Sequence, residues 1–315
     1  MPSQLLSALS QASPARLILG SVAALLLLSM LFRLCRYARR RRAYKASEYA
    51  KNTRKPMGKA LSDAGSRGEY ELYLETNRYL EDKGRWLFNV YIPRPNGTTT
   101  EIDAILFHPS GIYVIESKNY RGQIIGSDRR EQWLQCLKTS RRGPVQTYAF
   151  YNPLKQNRVH VDALRARLGQ AYAHIPLYSV ILFGNHCSLK RVRLTEEDCI
   201  LDHRRNFPFI VNRIAARTSF SDTERVMEAY ESVSPLSGAD RAIKARHKNE
   251  VRTAHRRSPY KEVTLYAETP QSPCPLCGGT LITRIAKKGP RAESRFLGCS
   301  NFPTCRYTQN INEDP

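Results

Sequence analysis

Two groups of residues in this chain have the types and spacing to do chemistry. The first is Asp103 followed by Glu116-Ser117-Lys118. Residues two apart on a strand point to one face, so Glu116 and Lys118 emerge together. Asp103 lies on the preceding predicted strand and pairs alongside. Two carboxylates on adjacent strands supply the oxygen ligands that Mg2+ or Mn2+ takes. A lysine beside them orients or deprotonates water and offsets phosphate charge. Edge strands often carry such residues, so this pattern does not by itself identify an enzyme. The second group is Cys274-Pro-Leu-Cys277 with Cys299 and Cys305. A CxxC turn offers two thiolates to one tetrahedral ion, and the second pair closes the site. Four thiolates leave no open position, so the implied single Zn2+ is structural. Metal binding then supplies the folding free energy that so small a module cannot gain from burial.

These residues need a frame. Helical spacing runs over 68–82, and residues 86–92, 100–107 and 112–116 read as strands. Turn signals at Pro93–Gly97 and at Pro109-Ser110-Gly111 separate them. Asn152-Pro153 opens a helix over 153–168, and 178–183 is a further strand. Glu69 shares the apolar face of the first helix with Leu72, Tyr73, Thr76 and Leu80, whereas Glu71 points the opposite way. A core-facing glutamate needs a partner or a metal. Gln156 and His160 are four apart on one helix face. His160 reads equally as an assisting group or as a surface or capping histidine. Trp133 reads as core.

The chain of 315 residues carries 50 Lys and Arg against 28 Asp and Glu, a net charge of +22. That balance suits a polyanionic partner or an anionic membrane surface and says nothing of fold. Cys35, Cys136, Cys187 and Cys199 are scattered, which argues against a disulfide framework and suits a reducing compartment. Residues 17–32 contain no charge and are bracketed by Arg16 and Arg33. The run that follows is basic, with Arg33, Arg36, Arg39, Arg40, Arg41, Arg42 and Lys45. This polarity is the reverse of a cleaved signal peptide. It places a single membrane-spanning helix with its N-terminus out and everything C-terminal in the cytoplasm. The expected division is a short N-terminal segment (1–16), a transmembrane helix (17–35) and a basic juxtamembrane tether (36–66). An α/β domain (67–212), a basic helical linker (213–272) and a small ribbon (273–310) complete it. In the linker, Ser221-Asp222-Thr223-Glu224 reads as a capping box for a helix to about Val233. A second, strongly basic helix follows over roughly 239–256, either solvated or facing nucleic acid.

The words around the ribbon cysteines, Cys274-Pro-Leu-Cys277-Gly-Gly-Thr-Leu281 and Phe296-Leu-Gly-Cys299-Ser-Asn-Phe302-Pro303-Thr-Cys305-Arg-Tyr307, resemble the C-terminal zinc ribbons of bacterial type IA topoisomerases. That resemblance implies single-stranded DNA binding. Phe302 and Tyr307 would stack on bases, and Arg295 and Arg306 would meet phosphates. In the larger domain, the order helix, three strands, helix, strand is similar to the αβββαβ core of the PD-(D/E)XK, restriction-endonuclease-like superfamily. Gly68-Glu69, Thr100-Glu101-Ile102-Asp103, Gly111-Ile-Tyr-Val-Ile-Glu116-Ser-Lys118-Asn-Tyr120, Gly122, Trp133 and Asn152-Pro153-Leu154-Lys-Gln156 resemble the nuclease-related (NERD) domain. The family usually has Val between the Glu and the Lys, where this chain has Ser117. The resemblance implies Glu69, Asp103, Glu116, Lys118 and Gln156 as the catalytic set, with Asp103 and Glu116 on Mg2+ or Mn2+. The expectation is a nuclease on the bacterial inner membrane, cutting DNA as an endonuclease or exonuclease. The alternatives are a catalytically silent DNA-tethering or accessory protein and an RNA-directed nuclease.

Overall fold

The computed structural model describes residues 14–81, 83–94, 97–138, 145–195, 198–238, 241–257, 264–265, 274–277, 281–285 and 295–310. Helix α1 (Pro14–Ala46) leads into two short helices, α2 (Glu48–Thr53) and α3 (Met57–Ser62), and then α4 (Ala64–Tyr79). Strands β1 (Arg85–Pro93), β2 (Thr99–His108) and β3 (Gly111–Lys118) follow. Next come β4 (Gly122–Ser127), β5 (Gln132–Lys138), β6 (Val145–Tyr151) and helix α5 (Pro153–Leu168). Strands β7 (Leu177–Phe183), β8 (Cys187–Arg193) and β9 (Cys199–His203) precede helices α6 (Phe207–Ala215), α7 (Thr223–Val233) and α8 (Arg241–Arg257). The chain closes with β10 (Thr264–Leu265), β11 (Leu281–Ile285), β12 (Arg295–Cys299) and β13 (Thr308–Asn310).

Two compact units result, one of Met1–Tyr120, Pro153–Cys187 and Leu194–Ala254, the other of Arg121–Asn152, Ser188–Arg193 and His255–Pro315. The first unit is built on a five-stranded sheet of order β1-β2-β3-β7-β9. Strands β1, β2 and β3 pair antiparallel, and β7 joins β3 in parallel. A parallel neighbour needs a crossover, and α5 is part of the connection. Both sheet faces are covered. Phe88, Ala104, Leu106 and Ile115 pack with Tyr49, Leu72 and Phe207 in one core. Val90, Ile102, Ile105 and Val114 pack with Leu164, Val226 and Tyr230 in the other. The helix–three strands–helix–strand order expected from the sequence is present in this sheet.

Three segments differ from expectation. The apolar helix does not stop near residue 35 but runs on to Ala46, and Tyr44, Tyr49 and Ala60 enter the core. Residues 44–66 are therefore structured parts of the domain rather than a loose tether. The physical reason is aromatic: each buried tyrosine removes a large apolar ring from water, worth about 1.5–3 kcal/mol for side chains of that class. Single tyrosines among arginines leave no periodic pattern to read. Helix α7, expected in a linker, is capped by Asp222 and buries Val226, Ala229, Tyr230 and Val233. Helix α8 bonds to β2 through Arg246 and His247, which meet Thr99 Oγ1 and Thr99 O, and through Glu250, which accepts from Thr99 N.

The second unit holds a five-stranded sheet of order β10-β6-β5-β4-β8, which the sequence pattern did not suggest. Trp133 is fully buried there, its Nε1 donating to Ser127 O, as a core residue should. The ribbon is a three-stranded sheet, β11-β12-β13.

Candidate carboxylate site and zinc ribbon

The register of the first sheet aligns Phe88 with Ala104 and Val90 with Ile102, which sets Asn89 opposite Asp103. Pairing of Ala104 with Ile115 likewise sets Asp103 opposite Glu116. Asn89, Asp103 and Glu116 thus form a row across three strands. The row is also a fault line. Phe88 and Ala104 belong to one core, and Val90 and Ile102 to the other, so both strands exchange faces at Asn89 and Asp103. Asn89 takes up the distortion with a φ of 50°, in a region unusual for a residue bearing a side chain. Strain of this kind persists where surrounding contacts hold it. Here Asn89 Nδ2 donates to Glu69 Oε2 at 3.3 Å.

Glu116 is 1% exposed. Its Oε1 lies 2.6 Å from Lys118 Nζ, and Lys118 in turn donates to Gln156 Oε1 at 3.1 Å. The other oxygen, Glu116 Oε2, has no hydrogen-bond partner and faces the equally unpartnered His160 Nδ1 at 3.7 Å. Asp103 stays partly open to solvent and accepts from Ser117 N at 3.0 Å. An orphaned carboxylate oxygen next to a second carboxylate fits a divalent cation that would take both.

Electrostatics agree with a cation site. Burial, then the Glu116 and Glu69 carboxylates, hold Asp103 well above the usual carboxylate range, against Lys118 and the Ser117 N–H. Burial also raises Glu69, with Lys55, Tyr49 and Asn89 pulling it back. Burial opposes the charge on Lys118, but Glu116 and Asp103 outweigh it and raise the lysine above its ordinary value. Without a cation in the site, the two carboxylates favour the protonated ammonium of Lys118. Burial lowers His160, leaving a neutral imidazole at pH 7.

Glu69 is held from α2 and the turn after it as well as from the sheet. Tyr49 Oη donates to Glu69 Oε2 at 3.1 Å, and Lys55 Nζ stands 3.9 Å from the same oxygen. Glu69 does not close into a tight triad with Asp103 and Glu116. Among the described residues, only the four cysteines form a group of three or more such side chains with ligand atoms within 4.8 Å of one another.

In the ribbon, Cys274, Cys277, Cys299 and Cys305 are all free of disulfides. Cys274 Sγ lies 3.7 Å from Cys305 Sγ, and Cys277 Sγ lies 3.4 Å from Cys299 Sγ. Tetrahedral Zn–S bonds of about 2.3 Å put sulfurs about 3.8 Å apart, so the set fits zinc. Asn301 N and Nδ2 point to Cys299 Sγ and Cys277 Sγ at 3.4 and 3.6 Å, the outer-shell donors a thiolate site uses. Phe302 is 56% exposed with the Arg284 guanidinium 5.2 Å from its ring centre. Arg306 is exposed, whereas Tyr307 is half-buried against the cysteine cluster. The Arg295 side chain lies outside the described residues.

Residues 64–184 match the nuclease-related domain, NERD, and residues 271–314 match the topoisomerase DNA binding C4 zinc finger. The chain carries a nuclease-related domain. An uncharacterized protein of Bacillus anthracis is 34% identical over 112 residues, covering 36% of this chain and 49% of that protein. DNA topoisomerase 1 of Archaeoglobus fulgidus is 51% identical over 35 residues, covering 11% of this chain and 5% of the enzyme. The chain thus spans about half the length of the first relative and a small part of the second. No solved structure matches.

The NERD domain and its ribbon make this a nuclease-like protein with a DNA-binding type of zinc module and one structural zinc. Within the NERD domain, sequence reasoning missed Asn89, which carries no motif. It also left His160 open, which the fold sets against Glu116. Tyr49 and Lys55 lie before the matched residues altogether. The one available signal for them was the buried Glu69, which required partners.

Proposed function

We propose that this chain is a membrane-anchored, divalent-cation-dependent DNA nuclease whose zinc ribbon delivers it to single-stranded or partly unwound DNA. The observation that carries the proposal is Glu116: one carboxylate oxygen is taken by Lys118, the other is buried and unpartnered, and Asp103 lies opposite on the neighbouring strand. Asp103 and Glu116 would hold Mg2+ or Mn2+. When bound, such an ion supplies Lewis-acid stabilisation of phosphoryl oxygens and activates water. The Lys118 ammonium would offset charge building on the scissile phosphate. Gln156 fixes the lysine by accepting its second hydrogen bond. Neutral His160 stands 3.7 Å from the free oxygen of Glu116 without forming an ion pair with it. Glu69, set back from the pair, acts on Asp103 through its charge.

Helix α1 supports the anchor. It contains an apolar stretch long enough to cross a membrane, and Leu25, Leu26, Leu28 and Phe32 are exposed along it. In the ribbon, Phe302 and Arg306 offer an exposed stacking ring and a cation to a flexible strand.

A second proposal, a catalytically silent DNA-tethering protein, draws support from the separation of Glu69 from the other carboxylates. The purified chain, incubated with single-stranded, duplex and forked DNA and with RNA, separates the two. Cleavage in Mg2+ or Mn2+ that stops in EDTA and in Asp103→Ala is expected. Tight binding without cleavage under every metal would leave the silent tether.

A further inference from the structure

Helix α1 passes from its apolar stretch into the domain without a break, and a cleft of about 570 Å³ opens where it enters. The cleft walls carry Arg41 and Lys45 from α1, Lys51 from α2, and Arg54 and Lys55 from the turn that follows. None of its lining residues is acidic. The Lys55 ammonium is turned to Ser66 and Glu69, but Arg41, Lys45, Lys51 and Arg54 repel each other around the cleft, so an anion within it is favoured. Arg54 closes α2 in a left-handed conformation, φ 54°, and its N–H donates to Ala50 O. That conformation is uncommon for a residue with a side chain and recurs where function requires it. The cleft is rigid at its back. Tyr44 Oη donates to Lys55 O at 2.7 Å, and Lys55 Nζ to Ser66 Oγ at 2.8 Å.

Height above the apolar stretch selects the anion. At about 1.5 Å per residue, Tyr37 and Arg41 stand roughly 8 and 14 Å beyond Phe32, the last residue of the uncharged run. The polar layer of a bilayer is roughly 5–8 Å thick on each side. Tyr37, 55% exposed, falls within that layer, where tyrosine is favoured. Arg41 stands about 6 Å past it, within reach of its long side chain, and Lys45 about 6 Å further out.

We propose that this cleft binds the phosphate of an anionic phospholipid headgroup and so docks the domain at a fixed height on the membrane surface. The proposal rests on the membrane-anchored reading of α1. Its inner wall, Lys55, also flanks Glu69 at 3.9 Å, so the lipid site and the carboxylate site share a residue.

The full-length chain in neutral detergent, offered phosphatidylglycerol and phosphatidylcholine of matched chain length, should retain the anionic lipid selectively in native mass spectrometry. The double variant Arg41→Gln/Lys51→Gln should weaken that retention roughly tenfold or more while melting as the parent does. Lys45→Gln/Arg54→Gln, on other turns, should give the same loss and guards against misfolding of the first pair. Equal retention of both lipids, or retention unchanged in both variants, would overturn the proposal. Displacement of the lipid by equimolar inorganic phosphate, or by an oligothymidylate, would overturn it too, by assigning the cleft to free phosphate or to nucleic acid. Release of the native chain from membranes by carbonate would remove the anchor alone, because titration with short-chain phosphatidylglycerol below its micelle concentration still reads the cleft.

Discussion

Tyr49, from the short helix after the apolar segment, donates its hydroxyl to Glu69 of the NERD domain at 3.1 Å. The same proton can turn to Ser66 O at 3.0 Å, and the ring packs edge-on to Phe88. A residue that lies before the matched domain therefore holds one of that domain's candidate catalytic carboxylates. Tyr49→Phe keeps the ring and removes the donor. A hydrogen bond to a charged group contributes about 1.5–3 kcal/mol, and urea unfolding should show a loss in that range. An unchanged midpoint would mean that Glu69 is held by Asn89 and Lys55 alone.

The same packing sets where the chain can be trimmed. A fragment beginning at residue 36 keeps Tyr44, Tyr49 and Ala60 in the core. One beginning at Gly68 loses all three, a deficit on the order of a whole domain's net stability of about 5–15 kcal/mol. The longer fragment should unfold cooperatively and the shorter one should not, by circular dichroism. A cooperative transition in the shorter fragment would return residues 36–66 to the role of a tether.

Asp103 is held above its unfolded value by burial, Glu116 and Glu69. The native state therefore binds its proton more tightly than the unfolded chain does, so stability falls as pH rises through the raised pKa. The contribution is fully present only below the unfolded value near 3.8. Asp103→Asn removes that cost. The metal-free variant should be more stable than the parent at pH 8, by about 1 kcal/mol, and the gap should close as pH is lowered. Cleavage should be lost at every pH. Mn2+ affinity of the parent, by calorimetry, should fall with pH because the cation displaces that proton.

Lys118 and Glu116 test as a pair. Lys118→Met leaves Glu116, 1% exposed, without its cation, and breaking a buried pair from one side costs about 3–5 kcal/mol. Glu116→Gln added to it should recover much of that loss in a double-mutant cycle while leaving the protein inactive. Additive losses would mean the two do not interact.

The ribbon should respond to metal and to one ring. Chelation of zinc should abolish binding to single-stranded DNA, because the module's fold depends on the ion. Phe302→Ala, at an exposed ring, should weaken binding by about 1–3 kcal/mol with zinc content unchanged. Loss of zinc in that variant would make Phe302 a packing residue.

Local chemistry in the sequence already determined much of this protein. Four cysteines can meet one ion only in a closed set, and their spacing announces it. Alternation and turn residues marked β1, β2 and β3, and helical spacing with Asn152-Pro153 marked α5, because those signals depend on neighbours a few positions away. Glu116 and Lys118 two apart on one strand were bound to emerge together. Other features were decided only by tertiary structure. Asn89 became a site residue because two strands exchange faces at its position, an event with no motif. Tyr44 and Tyr49 became core because a helix that reads as a membrane span continues into the domain, aiming Tyr44 inward, and a short helix that follows aims Tyr49. His160 turned to Glu116, and Lys55 to Glu69, through contacts between elements far apart in the chain. Such partners are chosen by packing and by the cost of a buried, unpaired charge, and that cost is set only once the elements have met.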